Sequence, residues 1–205
     1  MAIPLGIQGQ ADFTQPIELL MDCHRRIEHF LGVLQKVAER YRDSVLDDQG
    51  RRALETALNY FRQAAPRHTA DEEQSLFPRL RQCDDPAVQT AMAELDRLEA
   101  DHRKAEDAHD RLDAMGRRWL EAGKLCPADH AQFTSLLLDL AATYAQHIRL
   151  EDEQVFVLAG RTLNAQALQQ VGQEMRQRRI DDPGRTGSRC AQRRQQRLHA
   201  QATPA

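Results

Sequence analysis

His68-Thr69-Ala70-Asp71-Glu72 sets a histidine four positions ahead of a glutamate, and the same spacing returns in the other half of the chain as His147-Ile148-Arg149-Leu150-Glu151. On an α-helix four residues turn about 400°, so the imidazole and the carboxylate leave one face, one turn apart. That is a chelating geometry. A neutral ring nitrogen with carboxylate oxygens suits iron, manganese or zinc and is a poor set for calcium.

The neighbouring residues predict that both faces point inward. Leu54, Leu58, Phe61 and Ala65 lead in steps of three and four to His68, Glu72 and Leu76, while Phe133, Leu137, Leu140 and Tyr144 lead to His147, Glu151, Val155 and Leu158. An ionised glutamate on such a stripe is costly to bury unless it is paired or bound to a metal.

Two further histidines fall on apolar stripes. His24 lies on Leu20, Ile27, Leu31, Leu34 and Ala38; His102 lies on Val88, Leu95, Leu98, Ala105, Leu112 and Trp119. His109 shares the second stripe, but at about 10.5 Å along the axis from His102 it is too far to bind the same ion, and reads as a supporting or plain core residue. Glu106 completes another H-x-x-x-E with His102, yet a surface partner of Arg103 or Lys104 is the simpler reading. His29 and His130 are expected in solvent. The expected metal set is His24, His68, Glu72, His102, His147 and Glu151.

The elements that position these residues follow from turn signals. Helix one is expected from Thr14 and Pro16 to about Arg42, and helix two from after Gly50 to about Leu76, bent at Pro66 and stopped by Phe77-Pro78. Helix three opens at Asp85-Pro86 and runs to about Glu121. Helix four follows Cys126-Pro127 and runs to about Ala159, closed by Gly160, and Thr162 or Asn164 caps a fifth from Ala165 to Arg179. Short connectors predict an all-α, up-down-up-down antiparallel four-helix bundle over residues 14–180, behind an N-terminal arm of residues 1–13 and ahead of a disordered C-terminal tail over 181–205.

Composition bounds the function. The 205 residues are 41% hydrophobic and 29% charged, enough for one domain with its own core. No run approaches the roughly 18 apolar residues of a membrane span, and residues 1–10 show no basic-then-apolar leader pattern, so a cytoplasmic protein without a membrane partner is expected. Cys23, Cys83, Cys126 and Cys190 form no C-x-x-C pair and suit reduced thiols. Net charge is −3, but from Arg176 onward eight arginines face only Asp181 and Asp182. An acidic body with a basic, aromatic-free tail is a poor fit to nucleic acid.

One His, then H-x-x-x-E, then one His, then H-x-x-x-E resembles the hemerythrin-like HHE cation-binding family over roughly residues 17–179. The run Glu72-Glu73-Gln74-Ser75-Leu76-Phe77-Pro78 and the ending Glu174-Met175-Arg176-Gln177-Arg178-Arg179 are similar to the family's own. The resemblance implies a non-haem di-iron centre: His24 and His68 on one iron, His102 and His147 on the other, Glu72 and Glu151 bridging. Oxo or hydroxo, water, or a small ligand such as oxygen, peroxide or nitric oxide would fill the remaining positions. Oxygen-carrying hemerythrins place a second histidine where this chain has Glu106, which favours peroxide or nitric oxide chemistry, or sensing, over simple oxygen carriage. Iron–sulfur repair relatives carry a cysteine-bearing domain ahead of the bundle, and only 23 residues precede His24, so that role is not expected. The competing reading is a non-catalytic interaction bundle with a structural metal or a buried polar network.

Overall fold

A computed structural model describes residues 11–181, and these are helical with no β-strand among them. Helix α1 spans Pro16–Arg40. A second rod is broken into α2 (Asp48–Gln63), α3 (Ala65–Asp71), a π-helical turn (Glu72–Leu76) and α4 (Phe77–Arg81). Then follow α5 (Pro86–Ala122), α6 (Pro127–Leu150), a second π-helical turn (Glu151–Val155), α7 (Phe156–Thr162) and α8 (Ala165–Asp181). Helix α1 packs on α2 and α6, and α5 packs on the same two, which closes the four-helix bundle; α8 lies across α1 and α3.

Helix ends follow their local chemistry. Asp47 accepts from the Gly50 amide at 2.7 Å and Asp85 from the Ala87 amide at 2.7 Å, giving α2 and α5 side-chain caps, with Pro86 in the first turn of α5. Gly123 ends α5 at φ 76°, a left-handed position that favours glycine. Asn164 accepts from the Ala167 amide at 2.9 Å and opens α8. Pro66 sits in the first turn of α3, just after the interruption at Ala64, where the expected bend falls.

Several expectations need correction. Phe77-Pro78 does not stop the second rod: the π turn carries it into α4, with Pro78 in a first turn, where proline is tolerated. Gly160 does not close the fourth rod, which runs on to Thr162 and ends where Leu163 turns extended. Helix α1 stops at Arg40, and α8 continues through Asp181, a position expected in the tail; the expected tail from 182 onward, like residues 1–10 of the expected arm, lies outside the described residues.

The apolar interior is divided in two. One cluster gathers Ile27, Leu34, Leu58, Phe61, Leu112, Trp119, Phe133 and Tyr144 among others; the second gathers Leu20, Leu76, Phe77, Leu98, Val155, Phe156, Val171 and Met175. On the first three rods the switch from one cluster to the other brackets the histidine, between Leu20 and Ile27, between Ala65 and Leu76 and between Leu98 and Ala105; on the fourth it falls between Ile148 and Val155, across Glu151. A polar layer therefore separates two dry cores.

Candidate metal centre

That layer is made by the six residues the spacing singled out. His24, His68, Glu72, His102, His147 and Glu151 are all buried, and both glutamates have no exposed surface. The donor atoms of His24, His68, Glu72 and Glu151 lie within 4.8 Å of one another, as do those of His102, His147 and Glu151. His24 Nε2 stands 3.0 Å from Glu151 and 3.7 Å from Glu72; His68 Nε2 is 3.3 Å from Glu72 and His147 Nε2 3.1 Å from Glu151. The two carboxylates thus lie between the two histidine pairs, and Glu72 also reaches 3.4 Å from His102 Nε2.

None of these carboxylate oxygens receives an aligned hydrogen bond. All four oxygens of Glu72 and Glu151, with His24 Nε2, are buried without a hydrogen-bonding partner among the described residues. Buried carboxylates carry a large desolvation cost when uncompensated. Across the layer, Nε2 of His102 and of His147 face each other at 3.0 Å.

The outer ring nitrogens explain why Nε2 of His24 and of His102 faces inward. His24 Nδ1 lies 2.7 Å from Asp152 and His102 Nδ1 lies 2.9 Å from Glu73, so each Nδ1–H donates outward to a carboxylate and leaves Nε2 facing the centre. This carboxylate–histidine arrangement fixes the ring and raises its basicity toward a cation. Sequence reasoning missed Asp152 and Glu73. The signal was present, since an acid directly follows each motif glutamate.

A repeat underlies both supports. From each motif histidine, the glutamate follows at four, a second acid at five and a phenylalanine at nine residues: His68, Glu72, Glu73, Phe77 and His147, Glu151, Asp152, Phe156. The second acid and the phenylalanine of each copy serve the lone histidine of another helix. Phe77 lies parallel to His102 at 6.4 Å, and Phe156 parallel to His24 at 5.3 Å. A regular helix at 100° per residue would put position 77 half a turn from position 68. The π turns begin at Glu72 and Glu151, where the Phe77 and Phe156 amides donate back to their carbonyls, and the wider turn returns each phenyl ring toward the site.

The two buried glutamates draw protons onto neighbouring histidines. Burial pulls His24 and His102 toward the neutral form, but the surrounding carboxylates win, holding His24 well above the usual histidine range and His102 at about 10. Burial dominates at His68, which falls to about 4. Burial raises Glu72, and the nearby histidines more than reverse it, so its carboxyl ends well below its ordinary value. Protons on histidine here do the work a cation would do: they balance the two carboxylates.

The remaining candidates fall outside the centre. Glu106 is exposed, as the surface reading expected. His109 is partly buried and lies 2.9 Å from the Tyr144 hydroxyl. Two expectations are overturned. His130 is buried, its Nε2–H donating to the Ala38 carbonyl at 2.8 Å, because the first turn of α6 tucks under Trp119 rather than facing water. His29 is only half-exposed, its ring against Phe30. Cys23, Cys83 and Cys126 are free thiols; Cys190 lies outside the described residues.

Residues 15–159 match the model of the hemerythrin HHE cation binding domain, a span that takes in all six converging residues. The chain belongs to that family. An uncharacterized protein of Haemophilus influenzae is 32% identical over 178 residues, covering 84% of this chain and 94% of the relative. In this hemerythrin-like chain the donor set fits the family's cation: inward-facing imidazole nitrogens, unpaired buried carboxylate oxygens, and no thiolate among the converging donors. No helix of the described residues is long and apolar enough to cross a membrane.

Proposed function

We propose that the protein holds a non-haem di-iron centre in the cytoplasm and uses it to sense or react with oxygen, peroxide or nitric oxide. His24 and His68 would hold one iron, His102 and His147 the other, with Glu72 and Glu151 between them. The observation that carries this reading is the four buried, unpaired oxygens of the two glutamates, flanked by histidines locked with Nε2 inward. Two like-charged ions at close range need anions between them, and these carboxylates are placed to supply that charge. Bound iron would supply redox chemistry and open positions for a small ligand. The chain's own part is to orient the donors, exclude bulk water between two apolar cores, and fix the imidazole tautomers through Asp152 and Glu73.

Glu106 supports reaction or sensing over simple carriage. It is exposed one turn after His102, so that position adds no donor to the cluster and fewer protein ligands would fill the coordination sphere. Metal content per chain on anaerobically purified protein, with absorption spectra before and after admitting air, tests the proposal. Two irons per chain and a new oxo-to-iron band are expected. No metal, or a single zinc, would overturn it and favour a non-catalytic bundle. Steady-state consumption of peroxide or nitric oxide then separates an enzyme from a sensor.

A further inference from the structure

Beside the centre, on the side of the first apolar cluster, Tyr144 stands edge-on to the His147 ring, 6.3 Å between centroids at 78°. Its hydroxyl lies 2.9 Å from Nε2 of His109. Nδ1 of His109 is buried without a partner, so two tautomers compete. If Nε2 carried the hydrogen, both the phenol hydrogen and Nδ1 would be left unpaired. If Nδ1 carries it, Tyr144 donates to Nε2 and only one group is unpaired, which makes the phenol the donor. Phe61 stacks on His109 at 4.6 Å and holds the ring in place. Burial keeps that imidazole neutral, its value pulled down to about 4, so its lone pair is available.

We infer that Tyr144 is a redox-active side chain that gives one electron toward the centre while its proton passes to His109. This rests on the proposed iron chemistry. Hydrogen peroxide takes up two electrons and two protons to become two molecules of water. In a centre with one ferrous and one ferric ion, iron would supply one electron and Tyr144 the other; the two protons come from solvent. As Tyr144 is oxidised, its Oη–H bond breaks, an N–H bond forms at Nε2 of His109, and a neutral phenoxyl radical remains. A base within hydrogen-bond reach is what allows the proton to leave with the electron. Tyr60 lacks such a base: its hydroxyl donates to the Cys23 carbonyl at 3.4 Å, which cannot accept a proton outright. Tyr41 has a carboxylate partner, Asp47, but it caps the far end of α1, seventeen residues from His24 and so about 25 Å along the axis.

The test uses the full chain, loaded anaerobically with ferrous iron, brought to the mixed-valent state with a stoichiometric one-electron oxidant, mixed with hydrogen peroxide and frozen for electron paramagnetic resonance. A radical signal is expected that narrows when tyrosine is ring-deuterated, disappears in Tyr144→Phe and persists in Tyr60→Phe and Tyr41→Phe. His109→Gln, which accepts the hydrogen bond but not the proton, should slow its appearance about 100-fold. Iron content and melting temperature of each variant show that the bundle is intact. If iron loads and peroxide is consumed but no tyrosyl signal forms, or the signal survives Tyr144→Phe, the inference is overturned while the iron reading stands. Failure of the unaltered protein to take up iron or consume peroxide overturns both.

Discussion

Asp152 accepts the Nδ1 hydrogen of His24 at 2.7 Å across the bundle, 128 residues away in the chain. Glu73 does the same for His102 at 2.9 Å. Each acid belongs to the motif on one rod and orients the lone histidine of another, so each copy of the repeat builds part of the site opposite. Asp152→Asn and Glu73→Gln keep the shape but can place an amide N–H against Nδ1, which frees the imidazole to choose the other tautomer. Metal affinity should fall about 10- to 100-fold in each, with the helical content unchanged. Competition against a chelator of known affinity measures it; an unchanged affinity in both variants would show that the outer carboxylates do not support the site.

Protonation and metal binding should be linked. In the metal-free protein His24 and His102 hold protons well above the ordinary histidine value, His102 to about 10, because carboxylates surround them. A cation facing Nε2 displaces those protons. Loading at neutral pH should release protons, seen as a binding heat that changes with the ionisation enthalpy of the buffer. The stability of the metal-free protein follows the same signs. His102, raised in the fold, contributes stability that is complete below its unfolded value near 6.5 and is lost as pH rises through about 10. His68 and His109, lowered to about 4 by burial, contribute stability that is present above 6.5 and is lost as pH falls through about 4. Melting temperature should therefore fall on both sides of neutrality, and metal should flatten the alkaline side.

The buried carboxylates tie stability to the charges around them. Glu151 is fully buried, 3.0 Å from His24 Nε2 and 3.1 Å from His147 Nε2. Replacing it with an apolar residue removes a counter-charge of the proton that the surrounding carboxylates hold on His24. Glu151→Leu should lower metal-free stability by about 3 kcal/mol, as for a broken buried pair, and also abolish the gain in melting temperature that metal confers on the unaltered protein. Thermal melts with chelator and with ferrous iron under anaerobic conditions give both quantities, and a variant as stable as the parent without metal would mean that Glu151 is not paired in the fold.

How much of this was legible in the sequence depends on how regular the helix is. The six converging residues could be read because His and Glu four apart share a face of any α-helix, and because the stripes leading to them are strictly periodic. Beyond each motif glutamate the period fails. Val155 and Leu158 were expected on the stripe; Val155 is buried and Leu158 only partly so, while Phe156 and Ala159 are buried without having been expected, and Phe77 joins Leu76 in the core. The π turns starting at Glu72 and Glu151 shift the buried face by one position. Periodicity at 100° per residue carries no trace of that shift, so Phe77 looked like part of a stop signal. His130 was misjudged for another reason: its burial depends on Trp119 and the Ala38 carbonyl, both on other helices.

Helix α8 should act on the site through one aspartate. Asp71, directly before Glu72, is fully buried and accepts from Arg178 and Arg179 of α8 at 2.7 Å each. Arg178 also reaches Ser75, and Arg79 pairs with Glu174 at 2.7 Å, so α8 is fastened along the segment that carries the motif glutamate. Burial raises the Asp71 carboxyl, and the two guanidinium groups offset that only in part. Removing it by Asp71→Ala strands two cations, but their side chains are 20% and 25% exposed and can turn toward water. The cost should therefore sit near the low end for a broken buried pair, about 3 kcal/mol. Amide exchange should quicken in α8 and in residues 72–76 and stay unchanged near Trp119, at the opposite apolar cluster. Quickening spread evenly over the whole bundle would mean that α8 is not a local fastener of the site.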